Sequence, residues 1–156
     1  MFSNSEVADV LEKAADLYES EKIEWCSGRW VGHHLREDGS AMMSACAATS
    51  LGMAAGLGHD LVGLIDTLVF KDGATDEGVR RYVENTLDEG FVSRTSVLNY
   101  TPRDVRLYAQ ARGVVEERII ESYGGSTLPN FNDSVRGSKT AVIELFKETA
   151  KDLRNA

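Results

Sequence analysis

The sequence contains no hydrophobic run long enough to cross a bilayer, which needs about 20 apolar residues. Its longest apolar stretch, residues 61–70, is too short and is interrupted by Asp66. The first residues also lack the basic and apolar segments of a secretion signal. We therefore expect a cytoplasmic protein that does not bind membranes.

Two further residue classes are scarce. Cysteine occurs only at Cys26 and Cys46, and in a reducing compartment we expect both to be free thiols. Basic residues are outnumbered, since 17 Lys and Arg stand against 25 Asp and Glu, and the formal net charge is −8. Nucleic-acid binding needs clustered positive charge, so this balance argues against a nucleic-acid partner.

What is present is typical of a globular domain: 42% hydrophobic and 27% charged residues in a chain of 156. Apolar residues recur at helical spacing in several segments. The pattern predicts helices near residues 7–18, 44–57, 59–70, 75–90, 101–123 and 138–153. A small β-hairpin is predicted near residues 23–32. We expect a mainly α, compact, bundle-like single domain of residues 1–156 with about five to six helices.

Short motifs give the helix boundaries. Thr101-Pro102-Arg103-Asp104 predicts a helix start, with Thr at the N-cap and Pro at the first helical position. Gly124-Gly125 predicts the end of that helix, and Ser138 predicts the start of the last one. Ser44 is expected to cap a helix of small residues. Glu37-Asp38-Gly39-Ser40 predicts a tight turn.

Both cysteines and two of the three histidines lie between Trp25 and Cys46. The spacing of the possible ligands is unfavourable for a zinc site made of Cys26, Cys46, His33 and His34. The chain has no Cys-x-x-Cys pair, and adjacent histidines in a strand would point to opposite faces. Glycines near residues 56–58 follow no strand of a βαβ unit, which argues against a dinucleotide. We expect no metal and no cofactor.

Nucleophilic catalysis has a better physical basis. If Ser44 caps the helix, Cys46 lies in its first turn, where the helix dipole lowers a thiol pKa. His33 or His34 would then serve as the base, and Asn132 or Asp133 would orient it. The alternative is that Cys46 is a small buried side chain at a tight helix contact.

Aromatic and polar residues near the cysteines suggest a binding or framework role. Large aromatics beside a hairpin often anchor a core or an interface. Asn and Asp build turns before helices, and such a turn would hold the hairpin in place or line a pocket. The candidate binding residues are Trp25, Cys26, Trp30, Asn132, Asp133 and Arg136.

Three motifs carry a family resemblance: Trp25-Cys26-x-Gly28, Cys46-Ala47 at the start of a small-residue helix, and Asn130-Phe131-Asn132-Asp133 before the last helix. Together they resemble a family of uncharacterised small proteins from actinobacteria and their phages. Phe131 replaces the usual Trp, Arg136-Gly137 reverses the usual order, and residues 58–125 match little. The resemblance implies an architecture and an origin, with a host cytoplasm for a phage protein, and no mechanism.

Taken together, the sequence favours a non-enzymatic interaction protein in a bacterial or phage accessory role. We expect it to contact a protein partner or to form a homo-oligomer. The alternative is a thiol-dependent hydrolase or transferase, with Cys46 as the nucleophile and His33 or His34 as the base.

Overall fold

The computed structural model describes residues 1–63, 65–66, 101–125 and 127–156. Five helices and three strands have assigned bounds in this part of the chain. In chain order they are α1 (Asn4–Glu19), β1 (Glu24–Trp25), β2 (Val31–Leu35), β3 (Ala41–Ala45), α2 (Ala47–Ala54), α3 (Pro102–Tyr123), α4 (Leu128–Asp133) and α5 (Lys139–Asn155). The predicted helix at 75–90 lies outside the described residues, as do residues 64 and 67–70 of the one predicted at 59–70. The protein is thus mainly helical with a small sheet, rather than a pure helix bundle.

Helix α1 begins at a reciprocal cap. The Ser3 hydroxyl accepts from the backbone N–H of Glu6 at 3.2 Å, and the Glu6 carboxylate accepts from the Ser3 N–H at 2.9 Å. The predicted apolar stripe of α1 is buried, from Val7 to Tyr18. Helix α1 packs antiparallel on α5. Arg154, near the C-terminal end of α5, pairs with Asp9 in the N-terminal half of α1. The predicted amphipathic helices at both ends of the chain are confirmed.

The sheet has the order β1-β3-β2. Strands β2 and β3 are antiparallel, and β1 is parallel to β3. The hairpin predicted at residues 23–32 is therefore wrong, because β3 lies between β1 and β2. The turn predicted at Glu37–Ser40 instead joins β2 to β3, with Gly39 at φ +84°. Residues 26–30 cross from one edge of the sheet to the other, held by side chains of α4.

Helix α2 starts later than predicted. Ser44, the expected N-cap, lies within β3, where it pairs with Gly32 on one side and Glu24 on the other. The ladder continues until the Cys46 N–H donates to the Trp30 carbonyl at 3.2 Å. Cys46 is consequently the N-cap itself and not a first-turn residue. Strand pairing on both sides of β3 overrides the capping preference of serine.

The remaining helices agree well with their caps. Thr101 caps α3 and Gly124, at φ +75°, ends it, and Ser138 caps α5. The motif around Asn132 differs from the predicted turn, because it forms the short helix α4. Buried side chains of α1, α2, α3 and α5 share one hydrophobic core. None of the helices described is long and apolar enough to span a membrane.

Candidate functional site

Asn132 is fully buried and uses both atoms of its amide group. Its Oδ1 accepts from Trp25 Nε1 at 2.7 Å and from the Ala47 N–H at 3.0 Å. Its Nδ2 donates to the Cys26 carbonyl at 3.0 Å and to Asp133 Oδ1 at 3.0 Å. Two accepted and two donated bonds are the capacity of a primary amide. Asn132 and these four partners, here called the Asn132 hub, join β1, α2 and α4.

The Asn132 hub also explains how α2 tolerates a cysteine at its N-cap. The thiol of Cys46 makes no capping bond to the helix backbone. The first N–H groups of a helix need acceptors, and thiol sulfur is a weak one. Asn132 Oδ1 supplies an acceptor for the N–H of Ala47 from another part of the chain.

Asp133 holds the loop that follows β1. Its Oδ1 accepts from the Gly28 N–H at 2.8 Å as well as from Asn132. Gly28 has φ +73°, a conformation that favours glycine. The loop expected to contact the Asn132-Asp133 segment does so through side-chain to backbone bonds.

Gly137 lies directly against the backbone of α4. A Cβ atom on Gly137 would lie 2.1 Å from the carbonyl oxygen of Asn132 and 2.6 Å from that of Phe131. Backbone atoms cannot rotate away as a flexible side chain would, so only glycine fits here. The order Arg136-Gly137 places the glycine at the position where the chain approaches Asn132.

Cys46 is buried beside the Asn132 hub and is 4% exposed. Its Sγ is 3.5 Å from the hydroxyl of Thr49. Burial raises the pKa of the Cys46 thiol, although hydrogen bonds from Thr49 partly oppose this. Cys26 is half-buried and its pKa is also raised by burial. Both thiols therefore favour the protonated, weakly nucleophilic form.

Neither His33 nor His34 forms a hydrogen bond with the Cys46 thiol in the described structure. His33 and His34 are exposed on β2, opposite Met43 and Met42 of β3. Within the described chain, the hydrogen-bond partner of the Cys46 side chain is Thr49, and neither imidazole bonds to it. Asn132 and Asp133, proposed to orient the base, hold backbone groups instead.

A surface pocket of about 200 Å³ opens beside Cys46. We call it the Trp30 pocket, and its lining comprises Gly28, Arg29, Trp30, Cys46, Pro129 and Asp133. Trp30 is half-buried, and its ring packs so closely on Gly63 that an added Cβ there would be 2.9 Å away. Arg29 is exposed and its Cδ lies over Gly32. Three predicted site residues thus meet in the wall of one pocket: Trp30, Cys46 and Asp133. Asn132 does not line the pocket and bonds to Asp133.

Arg136 lies apart from this pocket. Its Nη1 donates to the Tyr123 carbonyl at 3.1 Å, and its guanidinium stacks 5.8 Å from the centre of the Tyr123 ring. It lines a second pocket of about 200 Å³ with Phe131 and Val135. Arg136 therefore lines a pocket other than the Trp30 pocket.

No metal-binding arrangement is found in the described residues, where no three of His, Cys, Asp and Glu cluster suitably. Cys26 and Cys46 end adjacent parallel strands, but the histidines lie on the opposite strand β2.

Sequence reasoning missed a buried ionic cluster around Arg112, which is 2% exposed. Its guanidinium pairs with Asp66 and with Glu116, the latter at 3.2 Å, and donates to the Tyr108 hydroxyl at 3.1 Å. Glu116 in turn accepts from the Leu128 N–H at 2.5 Å, at the start of α4. The signal was present, because Arg112 falls on the apolar stripe of α3 between Tyr108 and Val115.

Comparison with known protein families matches residues 3–152 to a family described as a family of unknown function, DUF6197. The chain belongs to this family. No curated protein and no solved structure matches the chain. The DUF6197 match covers residues 3–152, so all residues of the Asn132 hub lie inside the family region. The predicted membership of a family without an assigned activity is confirmed at this level.

Proposed function

We propose that this protein works by binding another protein through the Trp30 pocket, and that it is not an enzyme. The observation that carries the proposal is the rigid support of the pocket. Asp133 and Cys46 line the pocket, and Asp133 holds the loop at Gly28. The fully used amide of Asn132 bonds to Asp133 and to the N–H of Ala47, the residue after Cys46. A site held by such bonds is preorganised, which reduces the entropy cost of binding.

The size of the pocket indicates what it accepts. Pockets for small-molecule ligands usually measure about 300–1,000 Å³. The Trp30 pocket, at about 200 Å³, is smaller and has the size for one side chain of a partner. Protein interfaces often place one anchoring side chain in such a pocket, with aromatic and Arg residues around it. Trp30 and Arg29 supply these residue types.

A thiol-dependent enzyme is the second candidate, because Cys46 does line the pocket. A nucleophilic cysteine needs a base within hydrogen-bond reach or a lowered pKa. Cys46 bonds instead to Thr49, and burial raises its pKa. The binding hypothesis therefore has more support than one with Cys46 as the nucleophile and His33 or His34 as the base.

The proposal also covers the class of partner and the cellular location. The net charge of −8 favours a protein partner over nucleic acid. The family resemblance supports an accessory role in actinobacteria or their phages, with the protein in the bacterial cytoplasm. Self-association is the other form that such binding would take.

The test compares two charge-reversal variants. Arg29→Glu changes the wall of the Trp30 pocket, and Lys13→Glu makes the same charge change on the exposed face of α1. Immobilised wild-type chain and both variants are incubated with bacterial lysate, and captured proteins are quantified by mass spectrometry. We expect a partner held by wild type and Lys13→Glu but lost with Arg29→Glu. Equal capture by all three chains would contradict the pocket as the binding site.

Self-association is tested in the same series. Light scattering after size exclusion gives the mass of each purified chain. If the partner is a second copy, wild type and Lys13→Glu are dimers and Arg29→Glu is a monomer. A strict wild-type monomer that also captures no partner would overturn the proposed function.

A further inference from the structure

The outer edge of β2 has a row of backbone groups that face away from the sheet. In antiparallel pairs, residues alternate between those bonded to the neighbouring strand and those whose N–H and C=O point outward. The Cys46 N–H donates to the Trp30 carbonyl, and the Arg36 N–H donates to the Ser40 carbonyl at 2.8 Å. The pairs 30–46 and 36–40 are therefore the bonded type. By alternation, the N–H and C=O groups of Val31, His33 and Leu35 point outward.

This edge is open in the part of the chain that the structure describes. Strand β2 is the last strand of the order β1-β3-β2. Within the described residues, no backbone bond to Val31, His33 or Leu35 comes from beyond the sheet. Leu35 is 72% exposed, which is high for a large apolar side chain. An exposed edge with unpaired backbone groups is a template for one more strand.

The charge of the edge indicates what kind of strand fits. Residues 29–36 contain two arginines and two histidines but no Asp or Glu, in a chain of net charge −8. Arg29, His33, His34 and Arg36 are all exposed. Charges on other surfaces act weakly here, because physiological salt screens them beyond about 8 Å. The local field therefore favours a negatively charged segment.

The two faces of β2 refine this further. Positions 32 and 34 lie on one face of the strand, and Arg36 follows in the same alternation. The Cδ of Arg29 lies over Gly32, which places this side chain on the same face. Val31 and Leu35 lie on the other face, with His33. A paired strand with alternating acidic and apolar residues would put its carboxylates on the first face and its apolar groups on the second.

Three of the four acidic residues near β2 are held by contacts of their own. Glu24 is paired with Lys139 at 3.1 Å. Asp38, in the turn beyond Arg36, accepts from the Ser40 N–H at 2.9 Å and from its hydroxyl. Asp133 accepts from Gly28 and Asn132. Glu37 lies in the same turn and is exposed.

We propose that β2 binds an extended, acidic segment of a partner protein by adding it as a fourth strand beside Val31–Leu35. This inference rests on the proposed binding function and names the chemistry of the partner. Residues Arg29 and Trp30 precede β2, so a segment on this edge runs into the Trp30 pocket at one end. One side chain at that end of the segment would fill the pocket.

The test uses a fluorescein-labelled eight-residue peptide that alternates Glu and Val, with a Lys and Val peptide as the control. Anisotropy titration at physiological salt measures binding to the full chain. We expect the acidic peptide to bind and the basic one not to bind. Equal binding of the two peptides, or none of either, would overturn the inference.

Two variants probe the geometry. His33→Pro removes an outward N–H that β3 does not use, and proline is tolerated on strand edges, so we expect at least a tenfold weaker Kd (about 1.4 kcal/mol). His33→Ala keeps the N–H and serves as the matched control. Arg36→Glu should weaken binding of the acidic peptide and Lys13→Glu should not. Unchanged affinity in His33→Pro would contradict strand addition.

A measurement on the wild-type chain keeps the test independent of whether His33→Pro folds. Amide hydrogen exchange by NMR, with and without the acidic peptide, should show new protection at Val31, His33 and Leu35. Gly32 and His34, already bonded to β3, should change little. Absence of this alternation overturns the inference. If it is absent while Arg29→Glu still abolishes partner capture, strand addition fails and the pocket function stands.

Discussion

The indole Nε1 of Trp25 donates to Oδ1 of Asn132 at 2.7 Å, and this bond joins residues 107 positions apart in the chain. The same oxygen accepts from the first N–H of α2. One amide thus bonds to the end of β1, to the first residue of the loop that follows β1 and to the start of α2. Asn132 also bonds to Asp133, which lines the Trp30 pocket.

Asn132→Ala should destabilise the fold by about 3–5 kcal/mol, because it leaves buried groups of Trp25, Ala47 and Cys26 without partners. Urea unfolding followed by circular dichroism measures the loss. Asn130→Ala is the matched control, since Asn130 is exposed on the same helix, and we expect a change below about 1 kcal/mol. Similar losses in the two variants would mean that the hub bonds contribute little.

Arg112→Met should also be destabilising, by about 3 kcal/mol, because it leaves the half-buried carboxylates of Asp66 and Glu116 without their cation. Arg118→Met is the control on the same helix. Arg118 pairs with Glu148 and Asp152 at the surface, where ion pairs contribute about 0–1 kcal/mol. The losses in the free energy of unfolding should differ severalfold between the two variants, and equal losses would contradict a buried cluster.

Two helical glycines should respond to alanine with opposite signs. In α2, a Cβ on Gly52 would lie 2.4 Å from Val62 Cγ2, so Gly52→Ala should destabilise by about 1–3 kcal/mol. In α3, Gly113 is exposed with open space around it, and Gly113→Ala should stabilise by about 0.5–1 kcal/mol. Thermal unfolding gives both values. In a Val62→Ala background, Gly52→Ala should cost less than it does in the wild-type chain, and an equal cost would mean that the contact is not the cause.

Gly137→Ala should disrupt the chain around α4 more than either of these, since its Cβ would overlap the Asn132 carbonyl. We expect a loss of stability and a less ordered Trp25 side chain, because the indole N–H of Trp25 donates its hydrogen bond to Asn132. Near-ultraviolet circular dichroism reports the tryptophan environment. Gly39→Ala, at an exposed turn, should leave that signal unchanged even though its positive φ costs stability.

The thiols should react slowly in the folded protein. Burial raises the pKa of Cys46 and of Cys26, so at neutral pH little thiolate is present. In a Cys26→Ser chain, alkylation of Cys46 by iodoacetamide should be much slower than in urea and should still be rising above pH 9. The raised thiol pKa also makes the free energy of unfolding depend on pH. It favours the folded state at low and neutral pH, and this contribution is lost as the pH rises through the folded-state pKa. Rapid alkylation at pH 7 would instead support the enzyme hypothesis.

Local signals predicted the parts of the fold that depend on local physics. The capping residues Thr101 and Ser138 gave the starts of α3 and α5, and Gly124 gave the end of α3. The amphipathic stripe gave α1. These features depend on residues three or four positions apart, so the sequence displays them directly.

Long-range pairing was the part that local signals could not supply. Ser44 has the chemistry of an N-cap, yet pairing with Gly32 and Glu24 draws it into β3. Because of this pairing, the hairpin is formed by β2 and β3 and not by residues 23–32, where it was predicted. For the same reason Cys46 is the N-cap of α2 and not a residue of its first turn. A parallel β1–β3 contact needs a crossover, which no short motif encodes.

The sequence by itself therefore determined the helical class, both ends of α3, the start of α5 and the short region that holds both cysteines, because each follows from local spacing and composition. Only the tertiary structure decided what that region does. It separates Cys46 from the histidines, joins Trp25 to Asn132 and buries Arg112, since these relationships arise when segments far apart in the chain share one core.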